Sequence, residues 1–466
     1  MLFNDPYFFL FLIVVIGLLL VGNRTYKKII FLVSSYFFYG LWDWRFLLLL
    51  FFSTCVDFFV GKKLELAVDT KSRKRLLAIS VVANLGTLAF FKYYNFFIES
   101  FVAFLTQVNI DTSFTTLNII LPVGISFYTF QTMSYTIDIY RKEIKPTKSL
   151  LDFAVFVSFF PQLVAGPIER AKNLLPQIEN FNGISKKGIK TGLVLMLMGY
   201  LKKVTISDNI APIVDDYFIN YAELDSIYLL VGLVLFSIQI YFDFSGYSDI
   251  ARGLAKMMGI DLMINFNQPY FSLNPSEFWN RWHISLSSWL KDYLYIPLGG
   301  NRRGDVRMYV NLMLTMILGG LWHGASWNFV FWGCLHGVYL LFYKMANITP
   351  ARSIFINISQ AILFYVLVLF TWLPFRSPDF NVTFEFLTKL FYWQGGIDIS
   401  SLMLVFFIMA LLLLIDLPAY IYKEHEYLLR LPSWLFIFIF TVVVISIVLT
   451  LALYQDEARP FIYFQF

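Results

Sequence analysis

Charge is scarce in this sequence. Asp, Glu, Lys and Arg together supply 14% of its 466 residues, against roughly 25% in soluble domains. Cysteine is scarcer still: Cys55 and Cys334 both sit inside apolar runs, so no disulfide framework is expected and both should be buried free thiols. Histidine occurs only four times, and His283, His323 and His336 lie 40 and 13 residues apart. That spacing excludes the dense histidine boxes of membrane di-iron enzymes, and no metal site is expected. A Walker-type phosphate loop is missing, as is a G-x-S-x-G elbow. No basic face is interleaved with exposed aromatics in a soluble module, which excludes nucleic-acid binding. Neither a fixed-period repeat nor a Pro/Ser-rich linker divides the chain, so residues 1–466 read as one membrane-embedded domain.

What fills the sequence instead is apolar surface. Hydrophobic residues make up 58% of the chain, phenylalanine alone contributes 52, and the mean hydropathy is +0.67. Apolar runs long enough to span a bilayer recur from end to end. The fold class is therefore all-α and polytopic, with about 11 transmembrane helices plus re-entrant or interfacial ones. The first run, Tyr7–Val21, follows a segment with Asp5 and no Lys or Arg, and no small-residue cleavage site comes after it; it is expected to stay as the first span. Ile29–Leu41 and Phe46–Val60 hinge at Trp42-Asp43-Trp44, Leu76–Phe97 spans again, and Ile98–Asn118 reads as a nearly uncharged connection. Lys and Arg cluster after the first, third and fifth spans. By the positive-inside rule the N-terminus lies outside and those clusters face the cytoplasm.

Two segments break the pattern. Leu151–Arg170 is short and interrupted by Pro161, Gly166 and Pro167, so it is either a kinked interfacial helix or a re-entrant one, since irregular backbone at membrane depth must be covered by protein. Asp379–Asp398 reads as interfacial. The apolar run Ile227–Phe242 ends in YFDFSGYSD, where helix capping accounts for some of the polar residues and Asp243 lies deep enough to be an internal polar partner.

The chemistry concentrates between Asn265 and His336. Ionisable groups at membrane depth are expensive and mark function by default, and histidine is the side chain suited to moving protons near neutral pH. His323 sits in LGGLWHGASW, where Gly319, Gly320 and Gly324 permit close backbone approach and Trp322 and Trp327 supply apolar walls. His283 lies in FWNRWHISLSSWLKDYLY, whose Phe278, Trp282, Leu286, Trp289, Leu290 and Tyr293 follow the spacing of one amphipathic helix. His336 is expected to make a single structural hydrogen bond, and His425, in KEHE, to be solvated in a charged loop. The turn PLGGNRRG presents Arg302 and Arg303; arginine grips phosphate bidentately, although a positive-inside loop is the better account of them from the residues alone.

Several of these segments carry a resemblance. LPVGISFYTFQTMSYTIDIYR, FFPQLVAGPIER, YFDFSGYSDIARG, NFNQPYFSLNPSEFWNRWHISLSSWLKDYLYIPLGGNRRG and LGGLWHGASWNFVFWG are similar to the bacterial membrane-bound O-acyltransferases, in particular the alginate O-acetyltransferase branch. The D-alanyl-transferring branch of teichoic-acid modification is similar as well. The resemblance implies helices around a central catalytic channel in the bacterial inner membrane. It also implies an acyl group taken from a cytoplasmic thioester, acetyl-CoA for this branch, and passed across the membrane for O-acetylation of a polysaccharide such as alginate or peptidoglycan. It maps His323 onto the principal catalytic histidine and His283 onto the second, with Arg302, Arg303 and Trp322 expected at the donor.

Outer connections are too short to hold a folded catalytic module, and a polymer is too wide for a channel between helices packed about 8–10 Å apart. An extracytoplasmic acetyltransferase or esterase-like partner is therefore expected to complete the transfer. The alternative from another class is a transporter or flippase for a lipid-linked sugar.

Overall fold

The computed structural model describes residues 3–164, 166–346, 353–453 and 461–462. Every regular element among them is a helix. Five helices are long and apolar enough to cross a membrane: Thr70–Gln107, Ser226–Met257, Phe355–Arg376, Ile399–Tyr422 and Ser433–Leu453. The protein is a membrane protein. The chain packs as two compact units, Met1–Gly192 with Ala251–Met263, and Leu193–Ile250 with Ile264–Phe466.

In the first unit run α1 (Pro6–Leu19), α2 (Arg24–Asp43), α3 (Arg45–Leu66), α4 (Thr70–Leu88), α5 (Tyr94–Gln107), α6 (Ile125–Tyr140), α7 (Leu150–Ser158), α8 (Phe160–Leu163) and α9 (Ala171–Glu179). Short polar side chains start these helices. Asn23 Oδ1 accepts the Tyr26 amide at 2.9 Å and Asp69 Oδ1 accepts that of Ser72 at 2.7 Å, each satisfying a donor the first turn leaves open. The expected connection from Ile98 is instead helical as far as Gln107, because a π-turn at Ala89–Tyr93 carries α4 into α5. Phe97, Phe101 and Phe104 then form an exposed apolar stripe at helical spacing.

The interior of α3, α4 and α6 is polar. Asp57 accepts from Ser80 Oγ at 2.5 Å and from Asn84 Nδ2 at 2.8 Å. Asn84 Oδ1 in turn accepts from Ser53 at 2.9 Å and Thr132 at 3.2 Å. Small hydroxyl residues allow the helices to approach and hydrogen-bond across their interfaces.

Lys28 braces the interrupted segment. Its ammonium lies 2.7 Å from Asp152 Oδ1 near the start of α7 and donates at 3.3 Å to the carbonyl of Glu179 at the end of α9. One side chain thus ties the start of α7 to the end of α9, a connection that a kinked interfacial helix and a re-entrant one share. The backbone released at the bend is satisfied by protein. The Phe160 amide donates to Ser35 Oγ at 3.1 Å, and the Phe156 carbonyl accepts from Gln131 at 2.6 Å and Gln162 at 2.8 Å.

α10 (Lys186–Tyr200) leads into the second unit, followed by α11 (Asp208–Ile219), α12 (Ser226–Met257), α13 (Pro275–Trp279), α14 (Ile284–Leu290), α15 (Asp305–His323), α16 (Trp327–Met345), α17 (Ile354–Arg376), α18 (Phe380–Phe391), α19 (Ile399–Tyr422) and α20 (Ser433–Leu453). The polar run after Phe242 caps nothing: α12 continues through it for fifteen further residues. A π-helical stretch at Leu201–Ser207 turns Lys202 and Lys203 inward. Lys202 pairs with Asp249 at 2.7 Å, and Lys203 sits between Asp243 and Asp208. Asp243 also accepts the backbone amide of Ile462 at 2.9 Å, and Tyr241 donates to Asp416 at 2.7 Å. Buried charges persist only when paired in this way. α18 fills the segment expected at the interface, with Lys389 donating to the carbonyls of Tyr221, Ala222 and Leu224.

α15 and α16 form a tight antiparallel hairpin because glycine removes the obstacle between them. A Cβ on Gly320 would overlap the Phe329 carbonyl oxygen, and one on Gly333 would overlap that of Met316. Replacing Gly320 with Ala should therefore lower the stability of the purified protein by about 1–3 kcal/mol, the scale of an overpacked core. Gly396, which has open space where a Cβ would go, should tolerate the same change. Thermal unfolding of the two variants in detergent checks the contrast.

Candidate active site

The segment expected to be one amphipathic helix is broken at its histidine. α13 ends at Trp279 and α14 begins at Ile284, with His283 between them in the left-handed region at φ +44°. Non-glycine residues rarely adopt that conformation, and its cost is sustained only where surroundings over-determine it. Asn265 is what determines it. The Asn265 carbonyl accepts the Ile284 amide at 2.9 Å. Its side-chain Oδ1 accepts from the Ser285 amide at 3.1 Å, the Ser285 hydroxyl at 2.9 Å and His283 Nδ1 at 3.2 Å. The Ser285 amide is a donor only, so the Asn265 atom it meets is the carboxamide oxygen. His283 Nδ1 consequently carries the proton, and the lone pair resides on Nε2. Asn265 is itself steadied by Ser248 Oγ, 3.3 Å from its Nδ2.

His323 occupies the last position of α15, where Gly324 turns the chain into an extended conformation. A Cβ at Gly324 would strike the Phe329 ring, and one at Gly319 would press on Leu290 of α14. The glycines beside the histidine thus admit α16 and α14 rather than a ligand. The two imidazoles come together across this arrangement, 6.3 Å between ring centroids. Trp322 lies against both, 5.2 Å from His323 and 5.8 Å from His283. Trp332 at 4.9 Å and Phe375 at 5.7 Å close the far side of His323, while Phe244 packs edge-on at 4.7 Å against His283. His283 is fully buried and His323 nearly so. Both imidazoles are thus enclosed by aromatic rings and shielded from solvent, where a proton acceptor meets little competition from bulk water.

Arg302 and Arg303 lie elsewhere. Both are exposed in the turn before α15, which folds back against Asn311 near the start of that helix, while His323 is at its end. Trp322 belongs with the histidines and not with these arginines. Two expectations about the remaining histidines need correction. His425 is not solvated: its side chain is 9% exposed, and Nδ1 lies 3.7 Å from Asp249 Oδ1, because the loop after α19 folds back over the buried ion pairs. His336 is fully buried, but neither ring nitrogen has a hydrogen-bond partner among the described residues. Among those residues no group of three His, Cys, Asp or Glu side chains is arranged to hold a metal ion. Sequence reading missed Asn265, which precedes His283 by eighteen positions with no local signal, and Trp332, indistinguishable from its apolar neighbours.

Comparison with known proteins bears on what this chamber does. The chain is 39% identical over 422 residues to the probable alginate O-acetylase AlgI of Pseudomonas aeruginosa, covering 87% of this chain and 80% of that protein. It is 35% identical over 430 residues to the peptidoglycan O-acetyltransferase of Helicobacter pylori, covering 85% and 80%. A more distant likeness, 26% over 270 residues, joins it to the teichoic acid D-alanyltransferase of Streptococcus thermophilus, covering 53% and 63%. The sequence profile of the membrane-bound O-acyltransferase family matches residues 140–375, the stretch that contains both histidines. With that match and these relatives, the protein is an O-acyltransferase, and the chain belongs to the membrane-bound O-acyltransferase family.

Proposed function

We propose that this protein takes an acetyl group from acetyl-CoA at the cytoplasmic face of the bacterial inner membrane and passes it outward for O-acetylation of an extracytoplasmic polysaccharide. The observation that carries the reading is the pair His323 and His283, 6.3 Å apart in one aromatic chamber, with the tautomer of His283 fixed by Asn265. Acetyl is favoured over D-alanyl because the relatives named for acetylation align over 87% and 85% of the chain, and the D-alanyltransferase over 53%.

His323 is the general base. It draws the proton from the acceptor hydroxyl as that oxygen attacks the thioester carbonyl; the C–S bond then breaks and the departing thiolate takes the proton. Such assistance is worth about 10²–10⁴-fold, and holding both reactants in one channel adds several kcal/mol through orientation. With its proton on Nδ1, neutral His283 presents an acceptor at Nε2, so its role is to orient a reacting group. Trp322 walls the donor beside both rings. Arg302 and Arg303 receive the donor's phosphates at the entrance, with the N-terminus of the chain outside.

His323→Ala should abolish acetyl transfer while the protein stays in the membrane, and His283→Ala should be severely impaired. Transfer from labelled acetyl-CoA in stably expressed variants measures this, and full glycan acetylation by His323→Ala would contradict the assignment. Replacing Arg302 and Arg303 together with Gln should raise the KM for acetyl-CoA more than it lowers kcat. Added salt should weaken donor binding to the unmodified protein in the same direction. Labelling of a cysteine placed at either position by an impermeant reagent from outside would refute their cytoplasmic placement.

The acceptor is reached through a partner, since no outer connection of this chain offers a folded module for a polymer. Reconstituted protein with acetyl-CoA and polysaccharide should hydrolyse the donor slowly without acetylating polymer. Addition of the extracytoplasmic acetyltransferase or esterase-like partner should restore transfer. Full-rate polymer acetylation by the isolated protein would place the acceptor site in this chain.

A further inference from the structure

Beside His323 stands a second group of polar atoms for which the general-base step has no use. Trp332 and His336 are four residues apart on α16 and so share a face; Trp279 reaches them from the end of α13. His336 lies 4.7 Å from Trp332 and 5.0 Å from Trp279 between ring centroids, and the two indoles are 5.7 Å apart. Phe278 stacks on the remaining face of His336, 5.9 Å away and 6° from parallel. The Nε1 atoms of Trp279 and Trp332 and both ring nitrogens of His336 are buried without a hydrogen-bond partner among the described residues.

A buried donor left without a partner carries its full desolvation penalty, and native proteins leave few of them. Phenylalanine would fill the same space at no such cost. An indole nitrogen only donates, and a neutral imidazole donates once and accepts once. The group is therefore rich in donors, uncharged and walled by rings. A phosphate or carboxylate would find no cation among these three side chains to offset its desolvation. An uncharged group with one strong acceptor oxygen and a small apolar remainder suits it well.

We propose that Trp332, Trp279 and His336 form the pocket for the acyl group of the thioester donor, with the carbonyl oxygen accepting from Trp332 Nε1. The inference rests on the acetyl-transfer reading above and adds the electrophile's side of it. His323 packs edge-on against Trp332, 4.9 Å between ring centroids, so the base and the indole donor are neighbours and an acyl carbon beside both would be reached by each. When the acceptor oxygen bonds to that carbon, its proton passes to His323 and the carbonyl π electrons move onto the oxygen held by the indole. Collapse restores the carbonyl, breaks the C–S bond and returns the proton to the thiolate. A donor aimed where negative charge develops is worth more in the transition state than in the ground state.

Trp332→Phe retains the ring and removes only the N–H. In the complete system with its partner, kcat for acetyl transfer should fall about 10²–10³-fold, the range for loss of one such donor, with KM for acetyl-CoA changed less than about twofold. The second readout is the carbonyl stretch of [1-13C]acetyl-CoA bound to His323→Ala protein, in which turnover is stopped. That band should lie below its position when Trp332→Phe is added to the same background. Loss of turnover with an unshifted band would make the role structural and overturn the proposal. Unchanged kcat and an unchanged band would mean that these nitrogens hold a structural water only. If acetyl-CoA does not bind His323→Ala protein at all, the acetyl-transfer reading fails and this one falls with it, a result separate from binding with an unshifted carbonyl. Should Trp332→Phe fail to fold, His336→Phe carries the same two measurements, since a phenyl ring preserves the stack on Phe278.

Discussion

Inside a bilayer a backbone amide or a polar side chain has no water to fall back on, and every departure from a regular helix must be answered by another protein atom. The architecture of this acyltransferase follows from that constraint. Ser35, Gln131 and Gln162 answer the bend between α7 and α9. Asn265 answers the break at His283 with a backbone carbonyl and a carboxamide oxygen that accepts three hydrogen bonds. Two lysines turned inward by a π-helix are matched by three aspartates. Around His336 the described residues give no such answer.

The two histidines are held by opposite means. His283 is fixed by polarity: its backbone is in a rare conformation, and its Nδ1 is committed to a residue that also binds the following turn. His323 is fixed by shape, at a helix end where glycine lets Phe329 and α16 press close and rings surround the imidazole. Packing sets where the His323 ring lies, and the hydrogen bond from Nδ1 to Asn265 gives His283 a defined tautomer.

How far all this could be read from the residues depended on the range of the interaction. The helical, membrane-embedded class was legible because apolar length and composition specify it, and the histidine pair because ionisable residues are rare in such a chain. The break at His283 was hidden, since Phe278, Trp282, Leu286 and Leu290 keep helical spacing across it while the residue that enforces it, Asn265, is distant in sequence. The extension of α12 was hidden for the reverse reason. Asp243, Ser245 and Asp249 look like a helix end until Lys202 and Lys203 arrive from another element to pair with them. His425 carried four charged or polar neighbours in sequence and none of the information about the Asp249 beneath it.

The aromatic walls of the chamber have an optical consequence. Trp279, Trp332, Trp372 and Trp282 form a continuous series with ring centroids 5.7, 6.1 and 5.0 Å apart, and Trp332 touches both His323 and His336. Indoles this close exchange excitation far faster than they emit, so light absorbed anywhere in the series samples all four rings. A quencher at one of them, such as a protonated imidazole or a thioester, darkens the whole series. These four of the protein's eleven tryptophans thereby make its own fluorescence sensitive to changes at any ring of the series.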